Sequence, residues 1–164
     1  MSIILSLAST CSAILLRMKL LDVPHHLQDL GSKDCGPITS LMVLDYYHVP
    51  SSVSEVLRRV PRTSGGGTSI FDNANMLRDY GLEVEAITAQ PLLFNGDFIR
   101  SKPSPEQIRK QAASVDKANP GHRTLISLLE YMDKGGALTL AIPSEQQIID
   151  AINPDLGLNV AFES

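Results

Sequence analysis

The chain has 164 residues, of which 43% are hydrophobic and 20% charged, and a formal net charge of −4. That length fits one domain with a proper core, and the composition is globular rather than disordered. The acidic balance and the scarcity of aromatics, with four Phe, four Tyr and no Trp, argue against a nucleic-acid partner.

Residues 2–16, SIILSLASTCSAILL, form an apolar run broken only by Ser, Thr and Cys. The run is too short and too Ser-rich for a membrane span. Its positive charges, Arg17 and Lys19, follow it, whereas a secretory signal carries them in front. Residues 1–17 are therefore read either as an anchor for membrane association or as a mis-assigned start. In the second case, which is preferred, the domain runs over 18–164, begins at Met18 and is expected in the cytoplasm.

KLLDVP, 19–24, reads as a short strand ended by Pro24. A helix is predicted from about Gly36 to His48, with Ile38, Leu41, Met42 and Leu44 at core-facing spacing and Pro37 in its first turn. SSVSEVLRRV starts a second helix, with Ser52 and Glu55 in capping-box spacing. PRTSGGGTS is a turn cluster without the pattern of a phosphate cradle. Thr68 or Ser69 then caps a helix over IFDNANMLRDY, which Gly81 ends. LEVEAIT alternates as a half-buried strand.

Residues 89–105 read as irregular, and PEQIRKQAASV as a mostly polar helix. TLISLLEYMDKGG is a stronger helix, with Leu125, Leu128, Leu129 and Met132 on one face and Gly135 at its end. ALTLAIP is the most apolar strand and is expected to be central. SEQQIIDAI is a short helix capped by Ser144, with Gln147 three residues on, and LGLNVAF is a last alternating strand. Helices early and strands later favour the α+β class.

Two cysteines, Cys11 and Cys35, are too few for a disulfide framework. Zinc spacings such as Cys-x-x-Cys and His-Glu-x-x-His are missing, and on a strand the adjacent His25 and His26 point to opposite faces. No metal and no cofactor are expected. Cys11, within the apolar run, is read as inert.

Cys35 stands at the start of the first predicted helix, in HLQDLGSKDCGPITSLMVLDYY. There the unpaired N–H groups and the positive end of the dipole favour a thiolate, the competent nucleophile. Gly36 leaves room for a substrate backbone, and its N–H points into the same space. In acyl transfer, negative charge develops on the carbonyl oxygen, and donors aimed at it carry much of the catalysis. A backbone N–H near Cys35 and the side-chain amide of Gln28 are the candidate donors. Asp34 and Gly36, on either side of the cysteine, are the candidate substrate contacts.

DVPHHLQDLGSKDCGPITSLMVLDYYHV resembles the opening of the papain-like peptidases related to the bacteriocin-processing, double-glycine leader peptidases. In that family a VP…Q…DCG opening leads into a nucleophile helix that ends in a YYG-like signature. GGGTSIFDNANMLRDYGLEVEAI and SLLEYMDKGGALTLAIP resemble two later blocks, so the likeness covers roughly residues 20–143. It implies Cys35 as nucleophile and Gln28 as the oxyanion-hole glutamine, with a glutamine-to-cysteine spacing one residue longer than in the double-glycine peptidases. The implied fold is a helical half, carrying the nucleophile helix, packed on a small, mostly antiparallel sheet. A related branch with the same opening is labelled guanylyl cyclase, but the sequence lacks the paired metal-binding carboxylates that label calls for.

A cysteine enzyme of this kind needs a histidine base, and the family places it after the apolar strand. Here no histidine follows ALTLAIP. His25 and His26 precede the nucleophile, and His48 closes its helix, nearly 20 Å away at about 1.5 Å per residue. His122, in NPGHRTL, matches a Gly-His pair but precedes a helix instead of a strand; it is the candidate displaced base. The chain is thus read as a papain-like cysteine peptidase acting on a peptide or protein substrate, truncated, degenerate or served by an unusual base. The alternative is a non-catalytic peptide-binding module of the same fold.

Overall fold

The computed structural model describes residues 22–62, 65, 67–91 and 93–152. The apolar run 2–16, Cys11 and the tail LGLNVAF lie outside them. The described residues mix seven helices with one two-stranded sheet, an arrangement compatible with the α+β class.

Helix α1 spans Cys35–Tyr46 and buries Ile38, Leu41 and Leu44, the face that the apolar spacing predicts. Tyr47 caps its end, and His48 follows with a φ of 55°, in the left-handed region. That is the position after a helix where glycine is at ease. Helix α2, Val53–Arg59, is capped by Ser52, which accepts from Glu55 N–H at 3.3 Å. The Glu55 carboxylate pairs with Arg59 at 2.9 Å, so only half of the expected capping box forms.

Helix α3, Ile70–Asp79, is the centre of the molecule. Ser69 and Asp72 close a full capping box at its start. Every residue from Phe71 to Leu77 is buried, because α1 packs on one side of the helix and a later helix on the other. Three of those residues, Asp72, Asn73 and Asn75, are polar and hydrogen-bonded, as burial requires.

Strand β1, Glu85–Thr88, follows with Ala86 and Thr88 inward. Residues 89–105, expected to be irregular, contain helix α4, Gly96–Arg100, where Asn95 accepts from Phe98 N–H at 2.8 Å. Helix α5, Pro105–Ala112, has a Ser104–Gln107 capping box. Helix α6, His122–Asp133, buries Leu125, Leu128, Tyr131 and Met132 and packs along α3. Strand β2, Ala137–Leu140, and helix α7, Glu145–Ile152, complete the described elements, with Ser144 and Gln147 capping α7 reciprocally.

Two sheet expectations are corrected. The β1–β2 pair is parallel, with Glu85 opposite Ala137 and Thr88 opposite Leu140, where the resemblance implies mostly antiparallel pairing. The reason is the crossover: α4, α5 and α6 lie between the strands and return the chain to the same end of the sheet. Among the described residues β2 pairs with β1 alone and exposes Ala137 and Thr139, so it is not buried on both faces as a central strand would be. The strand predicted at 19–24 does not appear in its described part; residues 22–29 have no regular structure.

Candidate active site

Cys35 is the first residue of α1 and its thiol is free and exposed. The helix start is uncapped: Asp34 occupies the cap position without a side-chain bond to the first turn. Its carboxylate lies 2.5 Å from Arg62 Nη2 instead, and Arg62 Nη1 donates to the Lys33 carbonyl at 3.2 Å. Lys33 Nζ in turn donates to the Gly65 carbonyl. The residues ahead of the cysteine are therefore tied to the segment ahead of α3.

The far side of the α1 start rests on α3. A Cβ at Gly36 would stand 2.7 Å from Asn73 Nδ2 and closer still to Thr68 Oγ1, nearer than real Cβ atoms come. Asn73 is fully used: Nδ2 donates to Thr68 Oγ1 at 3.2 Å and to the Ser69 carbonyl at 3.0 Å, and Oδ1 accepts from Ser40 at 3.3 Å. The Ser69 carbonyl can only accept, which settles which end of the amide faces it. The glycine after the cysteine thus lets the start of α1 lie against the Asn73 and Thr68 side chains.

Gln28 lies in the irregular segment before α1, exposed, with Nε2 donating to the Ser32 carbonyl at 3.4 Å. That bond spans one turn of loop and leaves the amide at the surface. Leu27 and Leu30 on either side of it are 84% and 106% exposed, so apolar side chains flank the glutamine in the open.

Two histidines belong to the far end of α1. His26 Nε2 is 2.5 Å from Asp45 Oδ2, and Asp45 lies ten residues beyond Cys35 on α1, about 15 Å along the axis. His48 lies beyond the same end of the helix. His122 opens α6, where its neighbour Arg123 reaches Asp72 at 2.8 Å and Ser127 bonds the same carboxylate at 2.5 Å. Asp72 and Asn73 are consecutive, so α6 and α1 meet α3 on faces roughly 100° apart. Among the described residues no hydrogen bond joins Cys35 to an imidazole. Nor do they contain a group of three or more His, Cys, Asp or Glu side chains placed to hold a metal ion.

A cavity of about 220 Å³ opens elsewhere, between α3, α6 and the end of α2, with Arg59, Asp72, Asn75, Glu130 and Lys134 in its wall. Its charges are already matched: Lys134 lies 3.0 Å from both Asp79 and Glu130, and Arg59 pairs with Glu55. It does not adjoin Cys35 and is not the candidate site.

Arg62 and Asn73 are the site residues that local reading does not find. Arg62 sits in a turn cluster, where an arginine is ordinarily solvated. Asn73 follows the capping Asp72, and nothing local says that it faces α1. Among the described residues no helix is long and apolar enough to cross a membrane. Compared with protein-family models, curated proteins and solved structures, the chain matches none.

Proposed function

We propose that this protein is a papain-like cysteine peptidase, or a close relative in acyl chemistry, with Cys35 as nucleophile. The observation that carries the reading is the exposed Cys35 thiol at the uncapped start of α1. Attack by the sulfur on a peptide carbonyl forms the carbon–sulfur bond and moves negative charge to the carbonyl oxygen. Collapse of the tetrahedral adduct re-forms the carbonyl and breaks the carbon–nitrogen bond. The thiol proton must pass through a base to the departing amine, and the same base must take a proton from the water that hydrolyses the thioester. No imidazole among the described residues hydrogen-bonds the sulfur to serve as that base. Gly36 N–H meets no acceptor among the described residues, and the Gln28 amide is at the surface; both suit the developing oxyanion. Asp34, the candidate substrate contact, is also engaged by Arg62.

A second reading has its own observation. With His26 held by Asp45 and no imidazole hydrogen-bonded to Cys35, the exposed surface around the cysteine is equally suited to hold a peptide without cutting it. The exposed Leu27 and Leu30 offer apolar contacts for such a peptide.

Incubation with a defined mixture of peptides, followed by mass spectrometry, separates the two. The peptidase reading expects new termini with the wild-type protein, none with Cys35→Ala, and about a hundredfold slower turnover with Gln28→Ala. Peptide retention by both wild type and Cys35→Ala, with no new termini from either, would establish the binding module and end the peptidase reading.

A further inference from the structure

We propose that Arg62 is a positioning residue for Cys35: it draws the Asp34 carboxylate off the start of α1 and keeps that helix end open to an anionic group. The inference rests on the acyl-transfer reading of Cys35 and names the residue that maintains its oxyanion donor.

An aspartate at the cap position ordinarily turns its carboxylate back to accept from the N–H of the second or third helical residue. In α1 the third helical residue is Pro37, which has no N–H. The Gly36 N–H is then the donor left for a cap, and it is also the one beside the nucleophile. Asp34 makes no such bond. Its carboxylate is held by one arm of the Arg62 guanidinium while the other arm holds the Lys33 carbonyl, so the fork grips two consecutive residues. The carboxylate is 20% exposed and the guanidinium 34%, which limits competition from water. The Asp34 backbone, at ψ 11°, is outside the extended conformation of a capping residue, so without Arg62 a turn of that ψ toward extended would free the carboxylate to take the Gly36 N–H. It would also set an unmatched negative charge where a substrate oxyanion develops.

Amide hydrogen exchange at Gly36, followed by NMR, reads the contest directly. In the wild type the Gly36 N–H exchanges near the rate of an unprotected amide. Arg62→Ala is expected to slow it at least fivefold as Asp34 closes the cap, and Arg62→Ala with Asp34→Ala to restore the fast rate. If Arg62 were merely structural, its loss would loosen the helix start and speed exchange, the opposite sign. Alkylation of Cys35 gives a second reading, measured on its own peptide with neutral iodoacetamide and anionic iodoacetate. At low salt Arg62→Ala should lower the iodoacetate rate relative to the iodoacetamide rate by roughly fivefold, and 1 M salt should largely erase the difference. Arg62→Gln, which keeps the apolar stem, serves if Arg62→Ala does not fold. Unchanged or faster Gly36 exchange in the Arg62 variant overturns the proposal. A wild-type protein that cleaves no peptide would sink the peptidase reading and leave the exchange result standing.

Discussion

Gly36 and Gly136 are two points where the chain comes so close to a neighbour that a Cβ does not fit, yet the neighbours differ in kind. Gly136 lies on the ring of Tyr131, where a Cβ would stand 2.5 Å from Cε1 and Cε2. That ring is fully buried, and its hydroxyl, with one proton to donate, lies within hydrogen-bond reach of the Val84 carbonyl just ahead of β1 and the Ala137 carbonyl at the start of β2. Gly36 lies against the ends of Thr68 and Asn73, polar groups held by hydrogen bonds and not by a packed core. The first contact locks α6 to the sheet and has no chemistry beside it. The second seats an exposed thiol. A close approach made of polar side chains can hold a helix start in place while leaving its outer side open.

The largest effect should come from the rigid contact. Gly136→Ala must displace a buried ring tethered at its far end, and should cost about 3 kcal/mol by denaturant unfolding. A cost below half of that would mean the ring yields as readily as the Asn73 amide, and the contrast would collapse.

Tyr131 supplies the next effect. Burial pushes its pKa up from 10.0 to about 12, so the folded protein holds the phenol proton more tightly than the unfolded chain does. The associated stability is complete below pH 10 and is lost as pH rises through 12, a loss of roughly 2 to 3 kcal/mol. Tyr131→Phe removes the ionising group, so the difference between the two unfolding curves should narrow across that window and stay flat below it. Parallel curves up to pH 12 would contradict the burial argument.

Gly36→Ala should be milder in stability and larger in chemistry. The new methyl displaces side-chain ends instead of a ring, and alanine is the better helix former, so the net cost should be about 1 kcal/mol. Alkylation of Cys35 should nevertheless change severalfold, because the Asn73 and Thr68 side chains that the methyl displaces are the ones the α1 start rests on. Equal alkylation rates in the variant and the wild type would show that the contact does not position the thiol. Smallest of all, Cys35→Ala should move stability by no more than about 0.5 kcal/mol, since the side chain is exposed and unpaired.

Much of the helical framework is legible along the chain because it is built from contacts a turn or less apart. Ile38, Leu41 and Leu44 mark the buried face of α1 by spacing, and Ser52, Ser69 and Ser144 cap the helices they precede. Gly135, with φ of 77°, follows α6 as the periodicity predicts. Helix α4 escapes notice because only five residues long, between Asn95 and Ser101, it has too little periodicity to show. The parallel direction of β1 and β2 escapes for a different reason: it is decided by how three intervening helices return the chain.

The same division runs through the site. Cys35, Gly36, Pro37 and the helix they begin are written locally, and with them the chemical character of an exposed thiol at a helix start. The partners are not. Arg62 reaches Asp34 across 28 positions, Asn73 reaches Ser40 across 33, and His26 spends its imidazole on Asp45 across 19. Such pairings depend on which faces α1 and α3 present when they dock, because a side-chain hydrogen bond forms only when donor and acceptor come to about 3 Å of each other. By itself the sequence determined where a nucleophile could stand. The tertiary structure alone decided which neighbours hold that position open and which histidine is engaged elsewhere.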